Sequence, residues 1–195
     1  VTSMYGTANE VFVGTTMGSV YKITLSQKKI EKLIDENIQQ RFGNQGLSPS
    51  YSIGSIFCTD DQLFISVEGT VFVYNLKSGK TTYSHAFDAS ETEITSLILI
   101  NGRLFVANRY GEIFAYNIDG RYITKSSRHY YSSAKVLSTS VYLVIARETG
   151  ELEAYDKNSS KLVWKTNIGK PIRSLSVVGS GHEEVILVGS NEGNV

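Results

Sequence analysis

The chain is poor in cysteine. Cys58 is the only one among 195 residues, which excludes an internal disulfide and any site built from several cysteine ligands. A lone thiol fits a reducing compartment, and the expected location is cytoplasmic; a targeting segment upstream of Val1 would change that. Proline is also scarce, with two residues against seventeen glycines, a balance that suits many short turns. Net charge is absent: 19 basic side chains match 19 acidic ones, so nothing global favours nucleic acid or an anionic membrane. No apolar run approaches the roughly 18 residues of a membrane-spanning helix. No signal-peptide pattern opens the chain, which begins at Val1 rather than at Met. What is plentiful is aromatic: twelve Tyr and eight Phe, residues that favour strands.

The chain repeats itself. A glycine followed by an alternating strand occurs at Gly18, Gly69, Gly111, Gly150 and Gly193, giving spacings of 51, 42, 39 and 43 residues. Upstream of each glycine stand three large apolar residues and then a small one: Val11–Gly14, Leu63–Ser66, Leu104–Ala107, Leu143–Ala146 and Ile186–Gly189. A continuous apolar run marks a strand buried on both faces, and the small residue marks a close approach of neighbouring sheets. Further upstream, four copies carry Val or Ile, any residue, Ser and a large apolar residue, with Ser at Ser3, Ser55, Ser96 and Ser174. In the fourth copy Lys135 stands where the others have Ser. After the glycine strand come a turn and an outer strand, expected near Thr81–Phe87, Tyr122–Ser126 and Lys161–Thr166.

Units of about 40–45 residues with four strands each have the period of propeller blades. The expected fold is an all-β propeller of four-stranded antiparallel blades, over 1–35, 53–88, 94–127, 133–167 and an incomplete 172–195. Four whole blades and part of a fifth suggest part of a larger ring; closure with four blades would leave the fifth unexplained. The long first interval places an insertion at 36–52. Lys28–Arg41 can be read as an amphipathic helix with Ile30, Leu33, Ile34 and Ile38 on one face. The repeat makes Lys29–Ile34 an outer strand instead and leaves Glu36–Arg41 open. Gly179–Glu184 reads as a lengthened hairpin.

Ala154, Asp156, Ser159, Ser160 and Trp164 sit at the offsets of an Ala-x-Asp-x-x-Thr-Gly-x-x-x-Trp pattern, with Ser in place of both Thr and Gly. This resembles the quinoprotein-dehydrogenase-like, or PQQ-like, propeller repeats. Glu68–Asn75 is similar to the strand of WD40 repeats, although their Gly-His dipeptide is missing from its expected places. The PQQ-like resemblance implies that Trp164 packs between blades. It also allows a quinone-dependent oxidoreductase, or an envelope assembly factor similar to the PQQ-like propeller lipoprotein of outer-membrane insertion machinery. A quinoprotein site implies a vicinal cysteine pair in many members, which Cys58 alone cannot make.

No catalytic constellation emerges, and neither a cofactor nor a metal is expected. His85, His129 and His182 fall in three units at no ligand spacing, and no P-loop or dinucleotide fingerprint occurs. Asn158–Ser160 fits a glycosylation acceptor triplet, which matters only in a secreted chain. Gly120–Arg147 contains Arg121, Lys125, Arg128, His129, Lys135 and Arg147 with no acid, and Tyr122, Tyr130 and Tyr131 are interleaved. Such a stretch can suit an anionic partner, or it can be an edge carrying solubilising charge; the balanced whole-chain charge favours the edge over nucleic acid. The turns before the glycines vary most. A protein or peptide partner is therefore expected on the blade-turn face, at Met17, Arg109, Tyr110, Lys135, Arg147 and Glu148, with assembly into a larger complex. The expected function is that of a non-catalytic interaction scaffold.

Overall fold

The structure is a computed structural model that describes residues 1–34, 52–67, 69–86, 93–117, 122–125 and 133–190. Two compact units divide the chain, Val1–Ile94 and Thr95–Val195. In the first, β1 (Ser3–Gly6), β2 (Glu10–Gly14), β3 (Val20–Thr24) and β4 (Lys29–Ile34) form one sheet in chain order. A second sheet follows from β5 (Ile53–Cys58), β6 (Gln62–Val67), β7 (Thr70–Asn75) and β8 (Lys80–Ala86). The second unit is built the same way. One sheet holds β9 (Ile94–Ile100), β10 (Arg103–Asn108), β11 (Ile113–Asn117) and β12 (Tyr122–Lys125). The next holds β13 (Ala134–Ser138), β14 (Tyr142–Arg147), β15 (Glu151–Asp156) and β16 (Leu162–Asn167). The last holds β17 (Ile172–Val178) and β18 (Val185–Ser190), joined through a short 3-10 turn at Gly181–Glu183.

The outer strands lie within one residue of their expected bounds at each end. Lys29–Ile34 is strand β4, so the helical reading of that part fails. Its alternating side chains pair with β3, and a helix would have left that edge open. The insertion at 36–52 lies almost wholly outside the described residues, as does Glu36–Arg41.

Local chemistry closes the hairpins. In three of the first turns a threonine hydroxyl accepts the N–H three residues on: Thr7 from Glu10 at 3.0 Å, Thr59 from Gln62 at 3.2 Å and Thr139 from Tyr142 at 2.8 Å. The corresponding turn between β9 and β10 is Asn101-Gly102, with both residues at positive φ (49° and 71°), as a two-residue hairpin loop requires. Before the outer strands, Asn75 Oδ1 accepts the Ser78 N–H at 2.7 Å, and Asp156 Oδ1 accepts the Ser159 N–H at the same distance.

Strand alternation sends opposite faces to different neighbours. In the first unit, Phe12 and Val20 of one sheet share a core with Ile53, Ile56, Leu63, Ile65 and Phe72 of the next. The small residue ending β2 is explained here. A Cβ on Gly14 would lie 2.5 Å from Ile53 Cγ2 and 2.6 Å from the Ser3 hydroxyl, so any side chain would push the sheets apart. In the second unit, Val144 and Ala146 of β14 join Leu152, Ala154 and Ile172, with Trp164 packed against them. Trp164 thus packs at the boundary between β13–β16 and β17–β18. Leu143, Ile145 and Arg147, which alternate with Val144 and Ala146 along β14, face the other way.

Candidate functional site: a braced turn pair and the space beneath it

Antiparallel order puts the β2–β3, β10–β11 and β14–β15 turns at one end of their own sheets. Their closure differs. Thr15 Oγ1 accepts the N–H groups of Met17 at 3.3 Å and Ser19 at 3.1 Å. At the matching position Asn108 Oδ1 accepts those of Tyr110 and Glu112, both at 3.0 Å. Each of these turns is held by its own first residue. The third matching residue is Arg147, and its side chain leaves its own turn altogether. Its Nη1 donates to the Gly111 carbonyl, 2.8 Å away on the neighbouring sheet of the same unit. Its turn keeps the backbone bond that all three share, here from the Gly150 N–H to the Arg147 carbonyl at 2.9 Å, as Gly18 donates to Thr15 and Gly111 to Asn108. Gly150 is obligatory: its φ is +93°, and a Cβ would sit 2.8 Å from the Lys170 carbonyl oxygen.

Arg147 is 3% exposed and carries a compact ion network with it. Its Nε lies 3.4 Å from Glu151 and its Nη2 3.4 Å from Glu153. Tyr155 donates its hydroxyl to Glu153 at 3.1 Å, and Lys165 reaches Glu153 at 3.2 Å and also pairs with Glu151. Burial is the largest influence on Glu153 and pushes its carboxyl upward. Together the Lys165 hydrogen bond, the Arg147 charge, the Tyr155 hydroxyl and the Lys165 charge outweigh it and hold the group below the usual carboxylate range. Two cations and two carboxylates make the cluster neutral, as a buried ionic group must be to avoid a large desolvation penalty.

Beneath the braced turns, between β9–β12 and β13–β16, lies a cavity of about 530 Å³. Ile113 and Ala115 form one wall and Leu143 and Ile145 the other, with Tyr155 beside Leu143 and Arg147 at the end nearest the braced turns. The Asn101–Arg103 and Asp156–Ser160 turns rim it at the opposite end of the sheets. Nothing in the turn-by-turn reading of the sequence pointed to this space.

The expected partner residues divide into two groups. Met17 (60% exposed), Arg109 and Tyr110 (38% exposed) are presented at turn tips. Glu148 is partly exposed and ion-paired with Arg173. Lys135 is half-buried and pairs in register with Ala146, as Ser3 pairs with Gly14 and Ser55 with Ser66, so it does occupy the Ser position of the repeat. Arg147 is a brace rather than a presented cation. Within the basic stretch 120–147, residues 120–121 and 126–132 lie outside the described residues, as do the side chains of Lys125, His85, His129 and His182. No described group of three His, Cys, Asp or Glu side chains could hold a metal ion. Among the described residues no helix is long and apolar enough to cross a membrane.

No family model matches the sequence, and no curated protein matches it. Solved structures do. The chain superposes over 97% of its length on the computationally designed Ika8 protein (TM-score 0.69, 15% identity, 55% of that chain). It matches BamB from Moraxella catarrhalis over 97% of its length (TM-score 0.68, 14% identity, 55% of that chain). It matches the Cps50 (Swd1) beta-propeller domain from Myceliophteria thermophila over 96% (TM-score 0.69, 15% identity, 61% of that chain). The chain therefore spans between half and two thirds of these proteins, and at such identities the likeness establishes the fold: a β-propeller of four-stranded antiparallel blades.

Proposed function

We propose that this propeller is an interaction scaffold that captures a protein or peptide on its blade turns, centred on Arg109 and Tyr110 with Glu148 beside them. One observation carries the reading. Arg147 ties the Glu148 turn to the Gly111 carbonyl, so the exposed Arg109–Tyr110 tip and the Glu148 turn are held together before any partner arrives. A pre-ordered surface loses less conformational entropy on binding. Tyr and Arg are also the side chains most often found at the energetic centre of interfaces. The likeness to propellers of other kinds supports a binding platform in general, since the fold serves many functions. The likeness to BamB concerns the fold alone and gives the envelope reading nothing further.

A photo-crosslinking amino acid placed at Tyr110 in the full-length protein, in its native cell, should capture a discrete partner. The same group at exposed Val163, on outer strand β16, should capture none. Arg109→Glu should lower the yield about tenfold, the effect of losing roughly 1.4 kcal/mol. Equal capture at both positions, or indifference to Arg109→Glu, would remove the proposal.

A further inference from the structure

Two interfaces between sheets occupy equivalent repeat positions and are filled differently. In the first unit the second sheet presents Leu63, Ile65, Val67, Phe72 and Tyr74, none more than 7% exposed, and the space is a closed apolar core. In the second unit the matching residues are Leu143, Ile145, Arg147, Glu153 and Tyr155. Val67 is replaced by Arg147, and the bulky Phe72 by Glu153. On the facing sheet, Ala115 stands where the first unit has Lys22. The result is the cavity of about 530 Å³, within the roughly 300–1,000 Å³ usual for small-molecule sites.

We propose that this cavity binds a small amphipathic anion: an apolar body between the sheets, with a single carboxylate at the mouth. The walls fix the body. Phe105, Ile113, Ala115, Leu143 and Ile145 offer carbon surface from both sides. The end nearest the braced turns asks for no charge, because Arg147 and Lys165 already face Glu151 and Glu153. Among the described residues of the mouth, Lys157 already has the nearby Glu184 carboxylate as a counter-charge, and Asp156 Oδ1 already accepts the Ser159 N–H and the Ser159 hydroxyl, both at 2.7 Å. Lys157 is committed to the carbonyls of Thr139 and Ser140, at 2.5 and 3.3 Å, whereas Arg103 is exposed at the rim. An anionic head group therefore meets Arg103 while its tail enters the cavity.

Decanoate is the probe, and decanol its uncharged control, with binding to the purified chain measured by titration calorimetry. Decanoate should bind saturably at one site. Ala115→Phe fills the space and should weaken both probes about tenfold or more; Leu143→Phe fills it from the facing sheet should the first variant fail to fold. Arg103→Glu, at an exposed position, should weaken decanoate about tenfold and leave decanol unchanged, about 1.4 kcal/mol of charge interaction. Absence of saturable decanoate binding overturns the proposal. So does wild-type affinity in a folded cavity-filling variant, or an Arg103→Glu effect shared equally by the two probes.

Discussion

Single residues here carry strain and charge that the repeat pattern conceals. Cys58 is one: its Sγ donates to the Thr59 carbonyl at 3.0 Å, and burial, followed by the nearby Glu10 and Asp60 carboxylates, pushes the thiol up to about 11. The reactive form is the thiolate, so the native protein should react with a disulfide reagent at least about a hundredfold more slowly than the denatured chain at pH 8. Fast native labelling would contradict the packing of Cys58 in the first-unit core. Glu153 is another. Its carboxyl is held down in the folded state, so its contribution to stability is present above the unfolded value of about 4.3. That contribution is lost as pH falls through the lower folded value. Glu153→Gln should therefore cost about 2 kcal/mol at pH 7 and progressively less below about pH 4, measured by urea denaturation at each pH. That Glu153 would be buried was legible only by aligning it with Phe72. Read alone, Gly150-Glu-Leu-Glu-Ala looks like a strand with one wet face.

At the scale of the element, turns and strands were the most legible part of the molecule. Alternation, the glycines Gly18, Gly111 and Gly150 after their apolar runs, and Asn75 and Asp156 opening their last turns each correspond to a hydrogen bond or a left-handed residue in the structure. The replacement of Gly by Ser in the fourth copy has a measurable cost. Ser160 sits at φ +57°, where the second copy has Gly79 at +66°. Ser160→Gly should relieve this and stabilise the protein by up to about 1 kcal/mol, part of the relief being offset by the greater freedom of glycine in the unfolded chain. Differential scanning calorimetry should show a rise of about 2–4 °C. An unchanged or lower melting temperature would mean that the Asp156 bonds to Ser159 already hold the turn without strain. The Asn101-Gly102 dipeptide between two apolar runs is an equally readable hairpin signal, and both residues take the positive φ it demands. Arg147 was less readable. Its type and position on the turn face were plain, but its burial depends on a carbonyl 36 residues away, and no local pattern encodes that.

For the whole molecule, the period of the sequence led directly to the propeller, because a repeat of four short strands has few ways to bury both faces of its sheets. The contents of one interface were not given by the period. Repeats make each interface equivalent in backbone and leave side chains free to diverge, so the divergence becomes visible only when copies are set against one another. The Arg147 brace also bears on the order of assembly. The Thr15 and Asn108 turns close within four residues and can form as soon as their hairpins do. The Arg147–Gly111 tie cannot exist until two separate sheets have met, which places it late on the folding route. Arg147→Met should therefore leave the refolding rate nearly unchanged and raise the unfolding rate about thirtyfold, corresponding to about 2 kcal/mol. Stopped-flow refolding and unfolding in urea separates the two limbs. If the folding limb slows instead, sheet docking precedes hairpin closure, and this propeller assembles from the outside of its repeats inward.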